Sequence, residues 1–170
     1  TEKIGANRFL DKNLIRHIDY YECLYWYQAN NEPDTYRRLL PRDTTVRFDG
    51  KILWRNPEFE DYPIAGLSRE QAELYCAWRS MAVNRMKSNR DKRSCNTDYW
   101  SRYDRADPED AYRVCYQLPE AGDLAQRKPR QEKYWLPEYT AAGQYDRKIS
   151  GRYSDPAGRV FRCVAIFEKK

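Results

Sequence analysis

Five cysteines are the side chains of this sequence with the clearest capacity for chemistry: Cys23, Cys76, Cys95, Cys115 and Cys163. No two of them have the Cys-x-x-Cys spacing of a zinc site or redox motif, and the single histidine, His17, cannot complete a Cys/His set locally. Scattered cysteines in an aromatic chain favour disulfides in an oxidising compartment. The alternative, that they are buried small hydrophobic residues, is left open by composition alone.

Other candidates for catalysis are weaker. His17 as a general base lacks an accompanying Ser or Cys nucleophile motif, so we interpret it as a surface or capping histidine. The carboxylates Glu58, Glu60 and Asp61 could suggest acid–base chemistry on glycans, which needs a defined carboxylate separation. Carboxylates in a polar passage are more often simply solvated, and we interpret them so.

An aromatic cluster, Tyr99, Trp100 and Tyr103 with Tyr112 nearby, offers candidate binding residues. Such rings form stacking platforms for sugars or hot spots for a protein partner. They also fill gaps in a loop-rich core, and the sequence leaves both interpretations open.

Composition limits the class of protein. A chain of 170 residues fits one domain. It is 34% charged, yet 15% aromatic residues provide the bulk that disordered chains lack. The net charge of +5 is not concentrated in one segment, because the basic run at residues 85–93 is soon followed by acidic residues. We therefore expect no nucleic-acid partner. No apolar stretch reaches the ~18 residues of a membrane span.

The elements that must position these residues begin with one clear helix. Ser68 and Gln71 form a capping box, which predicts a helix over about 69–87. Its apolar stripe places Cys76 in the core, with these neighbours: Ala72, Tyr75, Ala82, Val83 and Met86. A second helix is predicted from Ile18 to about Gln28, with Ile18, Tyr21, Leu24 and Tyr25 on one face.

The rest of the chain predicts short strands and turns. Asp49-Gly50 between apolar pairs favours a hairpin, and residues 4–15 predict a short strand and turn. A short helix is expected to begin at Pro119, and residues 88–114 read as a polar loop. The apolar run 160–167 predicts a buried closing strand with Cys163 in its middle. The fold class is α+β.

Three segments and the closing motif, in order, resemble the formylglycine-generating-enzyme (sulfatase-modifying factor) family. The strongest is residues 62–78, Tyr-Pro-Ile-Ala-Gly-Leu-Ser-Arg-Glu-Gln-Ala-Glu-Leu-Tyr-Cys-Ala-Trp, which is similar to the family's "YPVVGVSWEQAxAYCxW". Residues 9–21 resemble its opening strand and first helix. Residues 116–123 resemble "YRLPTEAEWE", and Phe161-Arg-Cys-Val resembles "GFRCV". The resemblance implies one domain over residues 1–170 with a C-type-lectin-like fold: two main helices and a small irregular antiparallel sheet.

The departures from the family pattern concern its catalytic parts. The enzymes carry two cysteines shortly before the final strand, but no cysteine lies between Tyr116 and Arg162 here. One histidine cannot build the histidine-rich iron site of the sulfoxide-forming branch. The calcium-binding "GNVWEW" passage is not recognisable. The resemblance therefore predicts a non-catalytic domain with no catalytic residue and no metal or cofactor; calcium remains an option without a motif.

The resemblance also implies a structural disulfide between Cys76 and Cys163, because the family joins the corresponding helix and strand cysteines. Cys95 and Cys115 flank a polar loop and form the second expected pair, which leaves Cys23 as a buried free thiol. The alternative for Cys76 and Cys163 is two neighbouring reduced cysteines.

Two functions follow as expectations. The first is a structural or protein-interaction module of a bacterial envelope, in the periplasm or at the cell surface. Residues 40–46 and 56–63 are similar to Bacteroidetes envelope lipoproteins of the gliding and type 9 secretion kind. Its partners would be other envelope proteins, and it would reach the membrane only through a lipid anchor outside this segment. The alternative is a diverged enzyme of the family, or a calcium- or carbohydrate-binding protein on the same fold.

Overall fold

The computed structural model describes residues 1–90, 112–126, 138–140, 143–145 and 160–169. Its elements are mixed α and β, in agreement with the predicted class. The helices of the described ranges are α1 His17–Ala29, α2 Pro33–Leu39, α3 Arg69–Arg90 and α4 Ala121–Ala125, with a 3₁₀ turn at Pro57–Phe59. None of these helices is both long and apolar enough to cross a bilayer.

The strands are short and form three antiparallel groups. The main sheet has the order β1-β2-β8-β5, from β1 Glu2–Lys3, β2 Arg8–Leu10, β8 Val164–Lys169 and β5 Tyr112–Gln117. Two hairpins accompany it, β3 Arg47–Phe48 with β4 Lys51–Ile52 and β6 Glu138–Thr140 with β7 Gly143–Tyr145. The closing strand β8 lies between β2, near the start of the chain, and β5, so the sheet joins the first and last described segments.

Three of the helices start with the same capping hydrogen bond. In each, the third helical residue is Asp or Gln, and its side chain accepts the backbone N–H of the residue that precedes the helix. The pairs are Arg16 N–H to Asp19 at 3.0 Å, Ser68 N–H to Gln71 at 2.7 Å and Glu120 N–H to Asp123 at 2.8 Å. The capping box predicted for α3 is confirmed, since Gln71 N–H also donates to the Ser68 hydroxyl.

Several elements differ from the predictions. The closing strand begins at Val164, so Cys163 precedes it rather than lying in its middle. Residues 112–114, expected at the end of a polar loop, instead form the first half of a strand over 112–117, because Val114 and Tyr116 pack on α3. Helix α2 was not predicted; it begins at Pro33, and proline suits a first helical position. The hairpin at Asp49-Gly50 is confirmed.

The main core lies between α1, α3 and the segment before β8. Its buried residues include Tyr20, Tyr75, Cys76 and Phe161. Tyr20 stacks on Tyr75 with ring centroids 5.6 Å apart, and Phe161 meets Tyr75 edge-on at 5.4 Å. The centre is thus aromatic, as offset and edge-to-face ring contacts favour.

Two smaller clusters complete the interior. One lies beneath the β3–β4 hairpin around Phe48 and Phe59. The other covers the second face of the main sheet, where Leu10 and Val164 pack on Leu124 of α4. An ion pair from Arg8 to Asp123 at 2.6 Å holds α4 on that face.

Candidate functional site

The thiols of Cys76 and Cys163 lie together in the main core. Their Sγ atoms are 3.0 Å apart, and both residues are buried. Cys76 comes from the buried stripe of α3, as predicted, and Cys163 from the segment just before β8. Both are thiols in this structure. An S–S bond is about 2.05 Å long, so a disulfide would need only a small approach of the two sulfur atoms.

The environment of this pair disfavours reactive sulfur. The hydrogen bond with Cys163, together with burial, raises the pKa of the Cys76 thiol well above its usual value. A thiol of raised pKa stays protonated at neutral pH, whereas the thiolate is the nucleophile and metal ligand. The geometry is that of a structural pair.

A buried polar network next to the thiols ties three parts of the chain together. Asp11 carries an ion pair with Arg79 of α3, and its carboxylate accepts the Cys163 N–H at 3.4 Å. The guanidinium of Arg79 also lies 4.3 Å from the ring centroid of Tyr116. Arg162, fully buried, donates to the carbonyls of Asp11 and of the next residue. These contacts satisfy groups that would be costly to bury alone.

Of the other predicted site residues, Cys95, Tyr99, Trp100 and Tyr103 lie outside the described residues. Cys115 lies on β5, half-exposed, with its Sγ 3.4 Å from a carboxylate oxygen of Glu168. The pairing of Cys95 with Cys115 therefore stays a prediction. Cys23 is buried, as expected, and burial raises the pKa of its thiol.

The interpretation of His17 as a surface or capping residue is wrong. It is the first residue of α1 and only 1% exposed. Its Nδ1 lies 3.4 Å from the Tyr21 hydroxyl, and its Nε2 has no hydrogen-bond partner among the described residues. Desolvation lowers the pKa of His17 to about 4, so the imidazole is neutral at physiological pH.

An aromatic groove of about 300 Å³ opens on the surface beside α1. Four rings from three separate segments line it: Tyr21, Tyr25, Tyr36 and Trp54. Three polar side chains share the lining: Gln28, Arg55 and Glu60. We call this site the aromatic groove.

Arg55 has the least ordinary geometry in the aromatic groove. Its φ is +56°, a left-handed conformation that costs a residue with a Cβ roughly 1–2 kcal/mol. Its backbone N–H donates to the Tyr21 hydroxyl at 2.8 Å, and its guanidinium lies 5.7 Å from the Trp54 ring centroid. The Tyr21 hydroxyl and Trp54 ring thus hold Arg55 in place.

Sequence reasoning did not find this groove. The predicted apolar face of the first helix placed Tyr21 and Tyr25 in the core, but Tyr25 is 73% exposed. Of the predicted face only Leu24 is buried, and the rest of the buried surface carries Tyr20, Cys23 and Tyr27. The spacing of Tyr21 and Tyr25, one helical turn apart, was the available signal, but Tyr36 and Trp54 join them only through the tertiary fold.

A larger groove of about 590 Å³ lies between the amino-terminal segment and α3. Most of the charged side chains that line this groove form ion pairs within the fold, since Arg16 pairs with Asp19 and Arg79 pairs with Asp11. Met86, predicted to be buried on the stripe of α3, is 57% exposed at its edge. These polar side chains stabilise the fold and are therefore less available to a ligand.

No protein-family model, curated protein or solved structure matches the chain. Within the described ranges, no three His, Cys, Asp or Glu side chains gather as a metal site would require. Function must therefore be argued from the residues themselves.

Proposed function

We propose that this chain is a non-catalytic structural or protein-interaction domain of a bacterial cell envelope, on a C-type-lectin-like fold of the formylglycine-generating-enzyme type. The 3.0 Å separation of the Cys76 and Cys163 sulfur atoms carries the proposal. It brings together two of the motifs that carry the resemblance, the helix segment Tyr-Cys-Ala-Trp and the closing segment Phe-Arg-Cys.

The architecture supports the family proposal in outline. The two main helices, α1 and α3, share one core, α3 packs on β5 of a small antiparallel sheet, and the closing strand β8 runs between β2 and β5. The resembling segment before α3 is also structurally constrained. Gly66 has φ +80°, and a Cβ there would meet the Asp43 carbonyl oxygen at 2.2 Å. That close approach explains a glycine within the motif.

Two observations support the absence of this family's catalysis. The sequence has no cysteine between Tyr116 and Arg162, where the enzymes carry their metal-binding pair. Burial raises the pKa of the Cys23 thiol, and the hydrogen bond with Cys163, together with burial, raises the pKa of the Cys76 thiol, so both favour the protonated form. Neither provides an accessible thiolate.

The proximity of the two thiols supports an oxidising compartment as part of the proposal. Disulfides form and persist in the periplasm and outside the cell, whereas the cytosol keeps thiols reduced. A Cys76–Cys163 bridge would link α3 to the closing strand across a sequence separation of 87. A rigid scaffold of this kind suits a domain that presents loops to other envelope proteins.

Thiol trapping tests the proposal. Intact cells are acidified and alkylated, and the protein is mapped by mass spectrometry without reductant. A Cys76–Cys163 cross-link in the envelope fraction is the expected result. Two freely alkylated cysteines in a cytosolic fraction would overturn both the compartment and the family assignment.

A peptide assay tests the catalytic part separately. The purified protein is incubated with a Cys-x-Pro-x-Arg peptide, first with copper and then with calcium. No aldehyde is expected. Aldehyde formation above a protein-free control would show that the chain is an enzyme of the family.

A further inference from the structure

We propose that the aromatic groove binds a neutral saccharide. The groove lies at the surface formed by α1, α2 and the segment after β4, away from the thiol pair. The inference rests on the shape of the groove, on its polar side chains and on the backbone of Arg55. None of these depends on the family resemblance.

The size of the aromatic groove fits a small ligand. Its volume of about 300 Å³ is at the lower end of the range for ligand sites, roughly 300–1,000 Å³, room for about one to two sugar rings. A stable protein interface buries about 1,600 Å² in total, far more than such a groove offers by itself.

The rings provide the apolar half of saccharide recognition. A sugar ring has a face of C–H bonds, which stacks on a flat aromatic side chain, and a rim of hydroxyl groups. Tyr25 is 73% exposed, and the rings of Tyr21 and Trp54 meet edge-to-face at 5.3 Å beside it. Tyrosine and tryptophan supply large, rigid contact area of this kind.

The polar side chains provide the other half. The side-chain polar groups of Gln28, Arg55 and Glu60 form no hydrogen bond or ion pair with any described residue. Other charged side chains in the same region are engaged, since Arg38 pairs with Glu70 and Lys51 with Glu58. Gln28, Arg55 and Glu60 together offer both donors and acceptors to a ligand with several hydroxyl groups.

The charges favour a neutral ligand. Arg55 and Glu60 contribute one positive and one negative charge to the lining. The guanidinium of Arg55 lies over the Trp54 ring, the position at which a cationic ligand would gain its cation–π contact. The two charges cancel, so the lining has no net charge to attract a cation or an anion, whereas hydroxyl groups can bond to both side chains.

The backbone of Arg55 is the independent observation. A residue other than glycine in a left-handed conformation is costly and persists only where the surroundings fix it, as at ligand sites. Here the Tyr21 hydroxyl fixes it by accepting the Arg55 N–H at 2.8 Å. This backbone conformation places the Arg55 guanidinium at the wall of the groove, where it can contact a ligand.

Saturation-transfer NMR and tryptophan fluorescence titration test the proposal. The probes are chitotriose, cellotriose, maltotriose and mannotriose, added to the full chain. We expect at least one to bind, and Tyr25→Ala to weaken that binding about three- to tenfold, the worth of one aromatic contact. Glu60→Gln, which keeps the shape of the side chain, should weaken it as well.

Met86→Ala is the matched control. Met86 is also a large exposed side chain, at 57%, but lies on α3 at the other groove, so its removal should leave saccharide affinity unchanged. Because Tyr25 is so exposed, the Tyr25→Ala protein should keep its fold, which circular dichroism and melting temperature verify.

Three results would overturn the proposal: no response to any of the four saccharides, binding that Tyr25→Ala and Glu60→Gln leave intact, or binding of a proline-rich peptide at the groove in place of a sugar. None of them bears on the thiol pair, so the envelope proposal stands or fails separately.

Discussion

The side-chain amide of Asn84 forms two hydrogen bonds with the backbone of Val114. Its nitrogen donates to the Val114 carbonyl at 2.8 Å, and its oxygen accepts the Val114 N–H at 3.0 Å. One turn earlier on α3, the Ser80 hydroxyl accepts the Tyr116 N–H at 2.7 Å. These side chains replace a neighbouring strand along the outer edge of β5, an edge that would otherwise be open to pairing with other chains.

Asn84→Leu should therefore destabilise the protein by about 2–3 kcal/mol, because it leaves two buried backbone groups of Val114 without partners. Urea unfolding followed by circular dichroism measures this. Met81→Ala, an exposed position on the same helix, is the control and should change the free energy of unfolding by less than about 0.5 kcal/mol. Equal effects of the two substitutions would contradict the role given to Asn84.

Gly66 and Gly50 have similar backbone conformations but different surroundings, so the cost of adding a Cβ can be compared between them. Both have positive φ, +80° and +78°, but a Cβ at Gly66 would lie 2.2 Å from the Asp43 carbonyl oxygen, and a Cβ at Gly50 would meet nothing within 4 Å. Gly50→Ala should cost about 1 kcal/mol. Gly66→Ala should cost about 1–3 kcal/mol more, because backbone must move to admit the methyl group. Thermal unfolding compares them, and similar melting temperatures would refute the close approach.

Oxidation of Cys76 and Cys163 should raise the free energy of unfolding by about 4–5 kcal/mol, since closing a loop of this length removes entropy from the unfolded chain. Denaturant curves of the oxidised protein and of Cys163→Ser, without reductant, give the difference. The same two proteins in reductant are the control, because no bridge can form there. A stability difference in reductant as large as the one without reductant would show that the loss in Cys163→Ser does not come from a Cys76–Cys163 bridge.

His17 should make the protein sensitive to mild acid. Its pKa is lowered to about 4 by burial, against an ordinary value of 6.5, so the unfolded chain binds the proton more readily. Stability present above pH 6.5 is then lost as the pH falls towards about 4, by about 3 kcal/mol. His17→Gln should remove this part of the pH dependence, measured as the urea midpoint between neutral pH and pH 4. An unchanged slope would mean that His17 is not neutral and buried.

The sequence alone predicted the elements whose signals are local. The capping box at Ser68 and Gln71 marked the start of α3 because capping bonds involve neighbouring residues only. The Asp49-Gly50 turn fixed the register of the β3–β4 hairpin for the same reason. The apolar stripe of α3 correctly placed Cys76 in the core, since burial follows the helical period.

The errors arose where distant segments decide the outcome. His17 was predicted to be a surface or capping residue before an apolar helix. In the structure the rings of Tyr21 and Trp54 pack around it and bury the imidazole. Tyr25 reads as apolar, yet nothing in the described fold covers it. Strand β5 has a weak local signal and forms because β8 on one side and the side chains of α3 on the other satisfy its backbone.

The sequence by itself determined helices α1 and α3, the β3–β4 hairpin and the burial of Cys76, because each depends on residues within a turn or two. Only the tertiary structure decided that the sulfur of Cys163 lies against that of Cys76, and that rings from α1, α2 and the segment after β4 share one groove with Arg55. Such contacts depend on how whole elements pack. Packing reflects the balance of apolar burial and chain entropy over the entire core, which cannot be read from a short stretch of sequence.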